Sequence, residues 1–218
     1  CGTEVGRSML NGSLRLFERV AESLTFENLQ SIVEQYVNLQ FYAGAVQLCL
    51  TVAYQGDRGN MALSWVNDNR PAGDSREKFF ESRKRSYDLI HLVLQDLDRV
   101  SGNQPEFNAD GMYTVVAMKR QEAYAIVNES TDEVFHYDLY DWYLTQGWTD
   151  RLLAIDSPFV ISYLQKQSLT SIDRADLLWR FYASGKRYHD AASVQVGLAK
   201  SEFPLDLKTR IEYLSRAK

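Results

Sequence analysis

The chain has 218 residues, 24 Lys and Arg against 29 Asp and Glu, and a formal net charge of −5. A hydrophobic fraction of 45% and a charged fraction of 24% suffice for a packed core and exclude whole-chain disorder, which goes with far lower apolar content. No apolar run nears the roughly eighteen residues that cross a bilayer, and no basic stretch followed by a leader core opens the sequence.

Two cysteines, Cys1 and Cys49, cannot build a disulfide framework or a four-ligand zinc site. A non-secreted protein in a reducing compartment, with no spanning segment, is expected. The start at Cys1 and the helical pattern still running at Ala217 and Lys218 read as a piece of something longer.

Helical periodicity dominates. Leu10, Leu14, Phe17, Ala21 and Leu24 step by three and four residues, which places them on one helix face. Thr25 offers a cap to a second helix reaching about Leu39. The stretch 41–54 is apolar on more than one face, as in a helix enclosed by neighbours. Residues 56–73 are rich in Gly, Asn and Asp with Pro71 and read as a long connection. Asp74 and Glu77 have capping-box spacing before a long helix to about Val100, and 101–111, with Gly102 and Pro105, breaks it.

A helix over about 112–128 follows, then Ser130 and Glu133 in capping-box spacing open another to Gly147. Thr149 caps a short helix, and Ser157-Pro158 is a cap with proline at the first helical position. Asp173 starts a helix stopped at Gly185, another runs to about Lys200, and Pro204 opens the last. About ten helices and no convincing strand predict an all-α fold.

An internal echo favours stacked antiparallel hairpins. Tyr36, Tyr42, Ala45, Leu48, Val52 and Ala53 correspond, at a constant shift of 146, to Tyr182, Tyr188, Ala191, Val194, Leu198 and Ala199. Small Ala at the closest helix contact, flanked by bulky side chains, is how tetratricopeptide-like hairpins pack, each leaving an apolar face for a neighbour. The predicted architecture is an α-helical solenoid over 1–218, with 56–73 and 101–111 as long inter-helix connections.

No catalytic or cofactor pattern has the required spacing: H-E-x-x-H, C-x-x-C, G-x-S-x-G and G-x-G-x-x-G are all absent. Gly185-Lys186 lacks the glycine five positions earlier that a phosphate loop needs, since Arg180 stands there. His136 has Asp132 one turn before it, yet no third or fourth metal ligand can be named. His136 therefore reads as a partly buried, hydrogen-bonded histidine. His91, His189 and Cys49 read as packing residues, and Arg83-Lys84-Arg85 as a solvated helix face. No enzyme activity, cofactor or metal is expected.

Charge is uneven. Residues 121–150 hold seven acids and no Lys or Arg. Residues 149–218 carry eleven bases against eight acids, too interspersed for the basic stripe that direct nucleic-acid binding needs. Within 132–148, Phe135, Tyr137, Tyr140, Trp142, Tyr143 and Trp148 are interleaved with Asp138 and Asp141. Most of these rings are expected in the core. A subset, Asp138, Tyr140, Asp141, Trp142 and Trp148, has the chemistry of a surface for a basic-apolar peptide, since aromatic anchors supply binding energy and carboxylates at the rim select Lys or Arg.

Several runs resemble one family. They are Phe41-Tyr42-Ala43-Gly44-Ala45-Val46, Asp132-Glu133-Val134-Phe135-His136-Tyr137-Asp138-Leu139-Tyr140-Asp141-Trp142, Ser157-Pro158-Phe159, Asp176-Leu177-Leu178-Trp179-Arg180-Phe181-Tyr182, Ala191-Ala192 and Arg210-Ile211-Glu212-Tyr213-Leu214. In order and content they are similar to the C-terminal region of the large non-repetitive scaffold nucleoporins of the nuclear pore's inner ring. Members of this class are labelled by a mass of one hundred and fifty-five kilodaltons in vertebrates and one hundred and seventy in fungi. The resemblance spans most of residues 24–218, while 56–73 and 101–111 match no family pattern.

It implies an N-terminal β-propeller outside this sequence, which alone would contact membrane, and a non-enzymatic scaffold role at the nuclear envelope that supports nucleocytoplasmic transport. It implies linker nucleoporins as partners, docked through short basic-apolar segments, and an mRNA-export factor as a further partner. The competing reading is a tetratricopeptide-like or coat-type solenoid adaptor that binds short peptide motifs outside the pore.

Overall fold

The computed structural model describes residues 4–218, so Cys1 lies outside the described residues. Among these, twelve α-helices and one 3₁₀ turn account for the regular structure, and the β pairing is a lone bridge between Phe107 and Tyr113. The helices are α1 (Glu4–Arg19), α2 (Phe26–Asn38), α3 (Tyr42–Gln55), α4 (Met61–Asn67), α5 (Glu77–Gly102), α6 (Val115–Glu129), α7 (Glu133–Thr145), α8 (Thr149–Leu153), α9 (Pro158–Ser168), α10 (Ile172–Ser184), α11 (Tyr188–Lys200) and α12 (Leu207–Arg216). They divide into two compact units, one ending at Leu139 and the other Tyr140–Lys218.

In the first unit α3 lies at the centre and packs against α1, α2, α5 and α6. That is why its sequence is apolar all round: Ala45, Val46, Leu48 and Cys49 are wholly buried. Burial pushes the Cys49 thiol well above its ordinary range, which suits a core side chain rather than a nucleophile. Gly44 is required where it stands, because a Cβ there would meet the Phe41 ring at 2.0 Å.

In the second unit α9 packs on α10, α10 on α11 and α11 on α12, and the short α8 packs on α10. Ala175, Leu198, Ala199 and Tyr213 form its distal core, flanked by Trp179, Val194, Phe203 and Leu205. Arg210 closes the α11–α12 loop by donating to the carbonyls of Ala199, Ser201, Phe203 and Leu205 at 2.7 to 3.3 Å.

Four helices share one ending. At α2, α4, α7 and α10 the chain turns through a left-handed residue: Gln40 (φ 56°), Asn69 (62°), Gly147 (75°) and Lys186 (59°). In each, the next amide reaches back five residues to an aromatic residue's carbonyl: Phe41 to Tyr36 (2.7 Å), Arg70 to Trp65 (3.0 Å), Trp148 to Tyr143 (2.9 Å) and Arg187 to Tyr182 (2.8 Å). This is the Schellman cap, in which the residue after the left-handed one packs back on the last turn. Phe41 lies 5.1 Å from Tyr36, Trp148 lies 6.0 Å from Tyr143, and the Arg187 guanidinium sits 4.6 Å over Tyr182. The sequence echo thus includes matching turn geometry at 36–41 and 182–187. Burial diverges most at one pair, since Tyr42 is 4% exposed and Tyr188 is 67% exposed.

Several details differ from the sequence reading. The span 56–73, expected to be a connection throughout, contains α4, because Asp57 accepts the free amides of Met61 and Ala62 at 2.8 and 3.0 Å. The first helix starts at Glu4 and gives way to a 3₁₀ turn at Ala21. One expected cap lies elsewhere: Asp132, not Ser130, accepts the Phe135 amide at α7 (3.2 Å). The helix expected to start at Asp173 begins at Ile172, with Ser171 capping the Arg174 amide (3.4 Å). The side chain of Thr149 does not cap α8, whose N-cap is Trp148. Ser157 with Pro158, and Thr25, cap as expected.

Candidate functional site

Of the five residues expected to form a peptide surface, Asp138 and Tyr140 are buried. Asp138 belongs to the first unit, where it is buried beside His91 (Nε2 to Oδ2, 3.0 Å) and Lys84 (3.4 Å). Tyr140 is 0% exposed, with its ring edge-on to Tyr163 at 5.4 Å. The expectation is corrected for both: the apolar period of α7 turns them inward, where their polar atoms meet partners of the same chain. Phe135, Tyr137 and Tyr143 are buried as expected of most of these rings.

Trp142, Trp148 and Asp141 remain half-buried in the second unit. The two indoles meet edge to face at 5.2 Å. Asp141 accepts the Tyr163 hydroxyl, and the Arg151 guanidinium lies 4.9 Å from the Trp148 ring and 5.4 Å from Tyr143. An aromatic face attracts a cation through its quadrupole, and here the chain supplies that cation itself.

A denser polar centre lies in the first unit, where the sequence reading placed a solvated basic run. Arg83 is 2% exposed. Its guanidinium lies 2.9 Å from carboxylate oxygens of Asp57 and Asp132 and donates at 2.9 Å to the Asp57 carbonyl and to Asn60 Oδ1. Tyr87 donates to the other Asp132 oxygen at 2.6 Å. Both carboxylates are helix caps, of α4 and α7, so one buried cation ties two helix starts together. Beside it His136 Nε2 lies 2.7 Å from the Ser130 carbonyl, to which it donates. Burial lowers its pKa, partly opposed by that hydrogen bond and by Asp132. His189, expected to pack, is exposed in the first turn of α11.

Above this centre lies a groove of about 540 Å³. Leu50, Leu63, Ile126 and Val134 give it apolar walls, and Glu129 and Glu133 stand at its rim. No local sequence pattern brings these two acids together. The readable signal was Asp57, four residues ahead of Met61, which marks a helix start inside the presumed connection. Among the described residues no group of three or more His, Cys, Asp or Glu is placed to hold a metal ion, and no helix is long and apolar enough to cross a membrane.

A model of the non-repetitive/WGA-negative nucleoporin C-terminal family matches residues 2–218. The chain belongs to that family. It is 58% identical over 212 residues to nucleoporin NUP170 of Chaetomium thermophilum, covering 97% of this chain and 15% of that protein. It is 40% identical over 215 residues to the probable nucleoporin C890.06 of Schizosaccharomyces pombe, covering 99% and 16%. The chain therefore spans about a sixth of the length of these relatives. The solved complex of the Chaetomium thermophilum Nup170 CTD with Nup145N superimposes with a TM-score of 0.96 at 57% identity, over 99% of this chain and 41% of that one. The all-α fold and the family resemblance stand, and these matches do not favour the adaptor reading.

Proposed function

We propose that the full-length protein is a structural constituent of the inner ring of the nuclear pore complex, held at the nuclear envelope, and that this segment docks other nucleoporins without catalysing a reaction. The observation that carries this reading is the 57% identity and 0.96 TM-score to a nucleoporin domain solved in complex with a second nucleoporin. The linker nucleoporins are the partner class, held through short basic-apolar segments, and an mRNA-export factor is a further partner. Nucleic acid is not a direct ligand, because the bases of 149–218 are interspersed with acids. Membrane contact belongs to the N-terminal propeller implied by the family. The half-exposed Trp142 and Trp148, with Asp141 beside them, are one partner surface.

The test is affinity capture with the full-length protein from extract of its source cells. Enrichment of nucleoporins supports the reading, and enrichment of vesicle-coat components without nucleoporins overturns it. Trp142→Ala is expected to weaken nucleoporin capture while leaving helical content unchanged, and undiminished capture removes that surface from the proposal.

A further inference from the structure

The acidic run of 121–150 is not one patch. Glu122 pairs with Arg7 at 3.0 Å, Asp138 with His91 and Lys84, and Asp132 with Arg83. Asp141 accepts from Tyr163. Glu129 and Glu133 have no ion pair among the described residues, and both stand on the groove in the first unit. Glu133 accepts the Tyr137 hydroxyl with one oxygen and stands in the first turn of α7, where the helix dipole favours a carboxylate, so its only charged complement would come from outside the described residues.

The backbone brings both signs to the groove: the starts of α4 and α7 line it through Asn60 and Glu133 and are capped by Asp57 and Asp132, while two helix C-termini are uncapped by any base. The last turns of α3 and α6 border the groove through Tyr54, Ile126 and Glu129, and neither contains a basic residue. Helix C-termini concentrate partial negative charge, which a cation would offset. Arg83, the one base on the groove wall, is already bound to two carboxylates at its base. Apolar walls beneath an acidic rim complement one kind of occupant, and Tyr54, 52% exposed at the edge, offers an aromatic face for an incoming Lys or Arg.

Resting on the docking role proposed above, we propose that this groove holds an extended segment of a partner protein in which Lys or Arg alternate with apolar residues. The apolar side chains enter between α3, α6 and the start of α7, and the cations meet Glu129 and Glu133. This surface lies wholly in the first unit and is separate from Trp142 and Trp148.

The experiment places a photo-crosslinking benzoylphenylalanine at position 54 in the full-length tagged protein, in cells, and sequences the crosslinked peptide. The result expected is a segment of another protein with net positive charge and interleaved apolar residues. Crosslinking should fall at least tenfold in a Glu129→Lys, Glu133→Lys background whose melting temperature and nuclear-rim position match the parent. A crosslink confined to the same chain, an acidic or neutral captured segment, no crosslink, or an unchanged yield in the charge-reversed background overturns the proposal. Loss of rim position in the parent protein would instead count against the scaffold reading, so the two failures are distinguishable.

Discussion

Arg83 Nε lies 2.9 Å from Asp57 Oδ2, and the two side chains are 2% and 1% exposed. A buried ion pair adds little over an apolar replacement of the pair, but removing one partner strands the other charge. Here Asp57 also holds the amides of Met61 and Ala62, so the pair fixes where α4 begins as well as balancing the buried Arg83 charge.

Asp57→Ala should therefore destabilise the first unit by about 3–5 kcal/mol, the range for breaking a buried pair. Arg85→Ala, two residues from Arg83 but exposed, should change stability by less than about 0.5 kcal/mol. Urea unfolding followed by circular dichroism checks both. Equal effects would mean that Arg83 is not distinguished from its solvated neighbour.

The left-handed Lys186 (φ 59°) carries a Cβ where glycine is at ease. Relief of that strain, about 1–2 kcal/mol, exceeds the extra chain entropy glycine brings, about 0.5–1 kcal/mol. Lys186→Gly should raise the stability of the second unit by roughly 0.5–1 kcal/mol, and Gly147→Ala (φ 75°) should lower it by a similar amount. Thermal melts of the two variants should move in opposite directions.

Gly44→Ala runs against propensity. In an open helix alanine gains about 1 kcal/mol over glycine, yet here the new methyl meets the Phe41 ring, which is itself held 5.1 Å from Tyr36. A net loss of about 1–3 kcal/mol follows from overpacking. Gly12→Ala, where nothing lies within 4 Å, is the control and should be stabilising.

His136 gives a pH signature. Its folded pKa lies below the ordinary value of 6.5 because burial disfavours the charged ring. The folded chain then binds fewer protons than the unfolded chain, so stabilisation present above the unfolded value is lost as pH falls through the folded one. The carboxylates of Glu27, Asp74 and Asp206 are also lowered, and their contributions vanish only on acidification below their ordinary range, near pH 4. Urea midpoints should thus fall as the pH drops below the ordinary histidine value in the parent and fall less in His136→Gln. An unchanged slope would mean that the ring is not held neutral.

Much of the fold was legible because apolar period three-and-four and small local signals agree along most of the chain. Thr25, and Ser157 with Pro158, mark helix starts that the structure repeats. Helix ends were harder to read, since three of the four left-handed turns use Gln, Asn or Lys rather than Gly, and their aromatic contacts are set by packing rather than by residue type. The polar centre was illegible for a related reason. Arg83-Lys84-Arg85 looks like one solvated run, but the helical turn sends Arg83 inward and Arg85 outward. Its partners Asp57 and Asp132 lie 26 and 49 residues away, and no local pattern announces them. The same inward rotation removed Asp138 and Tyr140 from the expected surface.

The most direct test of the central claim is the position of the full-length protein, fused to a fluorescent tag at its own locus, in living cells. The account predicts a continuous nuclear rim that coincides with other pore components. Cytosolic puncta, or diffuse signal with no rim, would contradict it.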